Sequence, residues 1–247
     1  MTILLTATLA ILMIGTSFIS GIFGMAGGMI LIGLLLALLP LPAAMMLHAI
    51  TQMASNGWRA VLWHEHICWR AVGTYLLGCL IALCAWSLTR YVPSKPIALL
   101  LLGATPFLAR IAPARLRPNP DSLLNGVSYG AACMTLLLLT GVTGPLIDTY
   151  FVAGLADRRQ IVATKAFCQV FGHALKLAYF GWLIDQSTSI DPVLVAVAIA
   201  ASMLGTTLAR RVLEGMSDAS FKLWTNRIVT AAASFYCAQG GYLLLTS

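Results

Sequence analysis

The chain has 247 residues, 60% of them hydrophobic and 9% charged, with a mean hydropathy of +0.89. Soluble domains carry about 25% charged residues, so this composition excludes an ordinary water-soluble fold and requires a polytopic membrane protein. The net charge of +7 comes without any Lys/Arg-rich run, which excludes nucleic acid as a partner and leaves membrane orientation and attraction of anions as its uses.

The chain opens on "MTILLTATLAILMIG", which lacks a basic leader and reads as part of a retained span. The apolar runs are continuous and do not alternate with polar residues, so they predict helices, not barrel strands. Spans are expected at about 3–22, a short one at 29–39, then 43–63, 71–90 and 96–110. After the polar link "RIAPARLRPNPD" come about 122–140, a short one at 145–155, then 161–181, 191–210 and 220–245. The order long, short, long, long, long occurs twice. It predicts an all-α membrane protein of two repeats, residues 1–112 and 122–247, joined by a loop at 113–121. A single offset of 117 lays Gly24 on Gly141, Gly27 on Gly144 and Gln52 on Gln169. It also lays His48 on Lys165, Asn56 on His173 and Arg59 on Lys176. The six cysteines (Cys68, Cys79, Cys84, Cys133, Cys168 and Cys237) form no CxxC pair and read as small hydrophobes, with neither a disulfide framework nor a metal site expected.

Two glycine breaks, "GMAGG" at 24–28 and "GVTGP" at 141–145, interrupt these runs. Gly allows positive φ and close approach of backbone to ligand, and Pro145 suits the first turn of a helix. Each break precedes a short helix whose free N–H groups point back into the gap, a natural place for an anion. The competing reading is close packing by small residues. Loop charges separate two topologies. If 3–39 and 122–155 each turn back at their glycines, one side gathers Arg70, Arg110, Arg115, Arg117, Arg158, Arg159, Arg210, Arg211 and Lys222, and the other keeps Arg90 and Lys95. If each crosses once, the split is seven to four. The stronger bias favours hairpins. Each repeat is then a Gly-broken hairpin followed by three crossings, the second repeat is inverted, and both termini lie outside.

After each break a helix carries polar residues on one face. His48, Gln52, Asn56 and Arg59 span about 80° of arc, and Lys165, Gln169, His173 and Lys176 repeat the stripe. Thr51, Ser55 and Thr164 add hydroxyls nearby. A basic residue at a bilayer centre costs about 2.5–3.5 kcal/mol, so Arg59, Lys165 and Lys176 face a cavity or snorkel to an interface. Gln52 and Gln169 lie near mid-helix, and their amide N–H groups suit an oxyanion or a partner helix. Asp148 is expected to be protonated or paired with Lys165 or Lys176. It is a candidate proton carrier, as are His48 and His173. "WHEHICWR", residues 63–70, carries His64, Glu65 and His66 but reads as a polar loop, and the six tryptophans lie mostly near span ends.

"GIFGMAGGMI", "PLPAAMMLHAITQMASN" and "GVTGPLIDTYFVAGLADRRQIVATKAFCQVFGHALKLAYF" together resemble the TauE/SafE sulfite-exporter family, also called toluene-sulfonate uptake permeases. The resemblance covers nearly the whole chain. It places the family's glycine motif on Gly24, Gly27 and Gly28 and again on Gly141 and Gly144, and its Ala-Thr helix start on Ala163 and Thr164. Two departures are Pro145, where a further glycine is usual, and the first-half helix start "LHAITQ". The resemblance implies a duplicated helical permease, in a bacterial inner membrane, for sulfite, organosulfonates or related sulfur anions. The expectation is therefore an alternating-access transporter of a small sulfur oxyanion, without a cofactor, with a homo-oligomer left open. A channel or soft-metal permease using Met45, Met46, His48 and Cys168 is the alternative. An enzyme is disfavoured, since no nucleophile–base–acid set is visible.

Overall fold

The helix boundaries follow local signals. Pro40 and Pro42 start one helix, Ser122 caps another by accepting from the Asn125 N–H, and Asp191 caps a third ahead of Pro192 by accepting from the Val193 N–H. The computed structural model describes residues 3–111, 122–154, 158–184 and 190–246, so the 113–121 loop lies outside the described residues. The helices are α1 (Ile3–Phe23), α2 (Met25–Leu38), α3 (Leu41–Leu62), α4 (Trp69–Thr89) and α5 (Lys95–Ile111). They continue as α6 (Leu123–Thr140), α7 (Gly144–Gly154), α8 (Arg158–Ala178), α9 (Pro192–Glu214) and α10 (Asp218–Thr246). Among the described residues no strand occurs. A wide π-turn, Tyr179–Leu183, extends α8 and has no counterpart in the sequence reading.

The first break is tighter than expected. The sequence reading has helix resuming at about 29, but only Gly24 leaves the helical region, with φ 65°, and α2 starts at Met25. Gly27 and Gly28 are helical. A Cβ at Gly27 would collide with the Thr16 carbonyl and Ser20, so this glycine's missing side chain lets α2 lie against α1. The same contact fixes the path of the chain. An unbroken helix would hold Thr16 and Gly27 about 16 Å apart, so the chain reverses at Gly24. The second break behaves alike. Gly141, at φ 86°, ends α6, and the Tyr129 and Tyr150 rings stack at 5.1 Å, where one continuous helix would separate them by about 30 Å. Among the described residues Gly24 and Gly141 are the glycines with positive φ, and they stand 117 positions apart.

Helix pairing is reciprocal. α1 packs on α9 and α6 on α4, while α3 packs on α8 and α5 on α10. Exchanging the first five helices for the last five leaves these pairs unchanged. The directions match too. Gly21 meets Ala209 and Gly205 meets Ile14, so α1 and α9 run parallel; Thr74 meets Gly126 and Trp86 meets Thr135, so α4 and α6 do as well. His48 meets Lys176 and Gly57 meets Val170, so α3 and α8 are antiparallel. Gly103 meets Ala233 and Gly240 meets Leu100, which makes α5 and α10 antiparallel.

Five helices among the described residues (α1, α4, α6, α9 and α10) are long and apolar enough to cross a bilayer. Their outward side chains, such as Ile11, Leu80, Ile199, Leu208 and Phe235, form a surface suited to lipid. α3 and α8 fall outside that group because each carries a polar stripe. They lie against each other, and most of those polar residues are buried.

Candidate anion site

The polar stripes of α3 and α8 meet at their crossing. His48 is fully buried. Its Nε2 lies 3.0 Å from the Gly28 carbonyl, which can only accept, so Nε2 carries the proton and donates. Nδ1 is then a lone-pair acceptor, and the Lys176 Nζ donates to it at 2.8 Å. Lys176 also donates to the Gly141 carbonyl at 3.1 Å, and its side chain has 0% exposure. One chain of hydrogen bonds thus runs from α2 through α3 and α8 to the second break. Both acceptors that Lys176 meets are neutral. The His173 ring lies edge-on to His48, with centroids 5.4 Å apart.

A second cation attends the first break. The Lys165 Nζ lies 3.8 Å from where a Gly24 Cβ would sit, and it pairs with Asp148 at 2.5 Å. This pair is partly open, with side-chain exposures of 17% for Lys165 and 34% for Asp148. It borders a vestibule of about 450 Å³ lined by Met25, Pro106, Arg110, Asp148, Thr149 and Asn226. Arg59 donates weakly, at 3.4 Å each, to the Ser20 carbonyl one turn before Gly24 and to Asn56. Asn56 in turn donates to the Gln52 carbonyl at 2.9 Å, and Gln52 packs on Gly28, 3.4 Å from where its Cβ would be. The first break therefore meets Lys165 from the other half, with Arg59 of its own half one turn before it, and the second meets Lys176 from its own half, whereas His48 binds the first break at Gly28 and reaches the second only through Lys176. Those residues stand at the same distance along the chain from Gly24 and Gly141.

The two breaks converge. Met25, the first residue of α2, packs against Gly144, the first residue of α7. In this state the Met25 side chain, not open space, fills the gap between the two helix starts. Gln169 and His173 face a closed cavity next to Thr143.

Three expected hydroxyls go elsewhere. Thr51 bonds back to the Leu47 carbonyl at 2.8 Å, Ser55 pairs with Thr206 of α9 at 2.7 Å, and Thr164 accepts from the Cys68 N–H at 3.0 Å. Ser and Thr in helices often satisfy themselves on nearby backbone, which removes them from the site. His64, Glu65 and His66 form a single exposed or half-buried turn away from it. Among the described residues no three His, Cys, Asp or Glu side chains converge at metal-binding geometry.

The profile of the family described as Sulfite exporter TauE/SafE matches residues 8–236. The chain belongs to the TauE/SafE family. No curated protein and no solved structure matches it. TauE/SafE membership makes it an integral membrane permease of a transporter family, one that is not an enzyme family, and associates it with sulfur compounds. The α3–α8 crossing and the two breaks lie well inside the matched region. Sequence reasoning missed Tyr75, Cys79, Cys133 and Thr143, which line the closed cavity beside Gln169 and His173. They are neutral residues, three of them within apolar runs, so no local pattern marks them.

Proposed function

We propose that the chain is a secondary transporter of a small sulfur-containing oxyanion, bound where the two breaks face the α3–α8 crossing. The observation that carries this reading is Lys176: a fully buried lysine amine whose hydrogen-bond partners are an imidazole and a carbonyl. A buried charge is costly unless an opposite charge joins it, and here the substrate supplies that charge. His48, Gln52, Asn56, Arg59, Lys165, Gln169 and His173 add donors and positive potential, with the N-termini of α2 and α7 at Gly24, Gly27, Gly28, Gly141 and Gly144. Reciprocal helix pairing and antiparallel α3–α8 and α5–α10 contacts support an inverted duplication, with each half a hairpin and three crossings. Rocking of one repeat against the other alternates access. The loop charges favour a vestibule mouth, beside Arg110, on the inner side and both termini outside. Asp148 faces this vestibule. Paired there with Lys165, it is a candidate for proton coupling alongside His48 and His173.

Sulfite and sulfonate flux into proteoliposomes, with wild type, Gln169→Ala and Lys176→Met, tests this reading. Flux by the wild type that falls at least about tenfold in Lys176→Met supports it. Absence of sulfur-oxyanion flux in folded wild type would refute it.

A further inference from the structure

The closed cavity is built by four parts of the chain: α4, α6, the second break and α8. It measures about 10 Å³, room for about one water. Three thiols line it, each from a different helix: Cys79 of α4, Cys133 of α6 and Cys168 of α8. All three are free and at most 1% exposed. The remaining polar lining is Tyr75, Thr143, Gln169 and His173. His173 is itself 3% exposed, and its Nδ1 has no hydrogen-bond partner. An unmet polar nitrogen in a closed space is a place where a ligand gains a bond that the empty protein lacks.

The chemistry of the wall is specific. None of its side chains is Lys, Arg, Asp or Glu. A basic side chain close to it along α8 is Lys176, three residues beyond His173. A hard, strongly hydrated anion such as sulfate would trade its water for weak S–H donors and a few neutral groups, a poor exchange. An anion with an exposed sulfur is more polarisable and loses less. It meets polarisable thiols, which give dispersion contact, although the Cys79 S–H itself donates to the Gly130 carbonyl at 3.4 Å. The cavity must widen to take any anion, and a compact one demands the least widening.

Resting on the transporter reading above, we propose that this thiol-walled chamber is the occluded binding site. It selects compact anions with an exposed sulfur, sulfite and thiosulfate, over sulfate and long-chain alkanesulfonates. The selecting residues are Cys79, Cys133 and Cys168, with Tyr75, Gln169 and His173 as oxygen-facing donors.

The experiment is competition in reconstituted proteoliposomes. Sulfite flux is measured against rising thiosulfate, sulfate and decanesulfonate for wild type, for the triple variant Cys79→Ser/Cys133→Ser/Cys168→Ser, and for the three single Cys→Ala variants. Cys84→Ser, at an exposed position on α4, is the control. Wild type and Cys84→Ser should be inhibited by thiosulfate at concentrations at least tenfold below those needed for sulfate or decanesulfonate. The triple variant should lose most of that preference in whatever flux it retains. Should the triple variant fail to fold, the single variants decide, each expected to narrow the preference about two- to fivefold. Unchanged preference in every folded thiol variant would overturn the chamber and leave the transporter reading intact. Wild-type protein that moves no sulfur oxyanion would instead sink the transporter reading itself.

Discussion

The two breaks both turn on a positive-φ glycine, with ψ −111° at Gly24 and −10° at Gly141, and differ in how their cations are balanced. At Gly24, Lys165 is held by Asp148, and the pair opens onto a vestibule of about 450 Å³. At Gly141, Lys176 is sealed from solvent and meets an imidazole and a carbonyl. The first arrangement is an ion pair with water at hand, stable without substrate. The second is a buried amine whose hydrogen-bond partners are both neutral. Similar scaffolds can thus present different electrostatic faces, one toward an aqueous mouth and one toward a closed interior. In a transporter, the amine with neutral partners belongs where the anion is to be held, and the ion-paired one where it arrives.

The sharpest way to break this contrast is Lys176→Met. Removing a buried charge for an apolar chain of similar length often leaves stability equal or raises it by about 1–4 kcal/mol. Transport should fall at least about tenfold while the thermal midpoint holds or rises, read by proteoliposome flux and a thermal melt on the same preparation. A parallel fall in both would make Lys176 a structural residue. Next in size are the left-handed glycines. Gly24→Ala and Gly141→Ala force positive φ on a residue with a Cβ, at a cost of about 1–3 kcal/mol, and Gly141→Ala also collides with Ile32 and Met45. Denaturation in detergent should show Gly141→Ala as the less stable of the two. Gly27→Ala overpacks the α1–α2 contact by about 1–3 kcal/mol, whereas Gly28→Ala meets Gln52 at ordinary contact distance and should cost clearly less. Equal losses at these neighbouring glycines would remove the packing account of Gly27. Smallest is Asp148→Asn. The partly exposed pair contributes no more than about 1 kcal/mol, so the melt should barely move. Sulfite affinity should rise a few-fold, since Lys165 is released and the first break comes to resemble the second.

Most of the helical scheme was legible in the sequence because apolar runs in lipid leave the backbone little choice. Span ends agree with the structure to within a few residues, apart from α2, where Met25 to Gly28 join the helix. Composition could not foresee this, because the helical state of Gly27 depends on α1 lying close enough to use the missing side chain. The stripes on α3 and α8 were legible through their period. Their partners were not. That Lys176 reaches His48 across two helices, while Lys165 takes Asp148, is a matter of crossing geometry. The Cys79, Cys133 and Cys168 thiols were least visible of all, since each reads locally as a small core residue and gains meaning only when three helices bring them to one cavity.

The central claim is that a buried, uncompensated Lys176 binds a sulfur oxyanion. Thermal stabilisation of purified protein by sulfite, wild type beside Lys176→Met, addresses it most directly, because a ligand that prefers the folded state stabilises it by about 2.7 kcal/mol at one hundred times its Kd. A sulfite-dependent rise in Tm for the wild type that vanishes in Lys176→Met is the expected result. An equal rise in both proteins would contradict the claim.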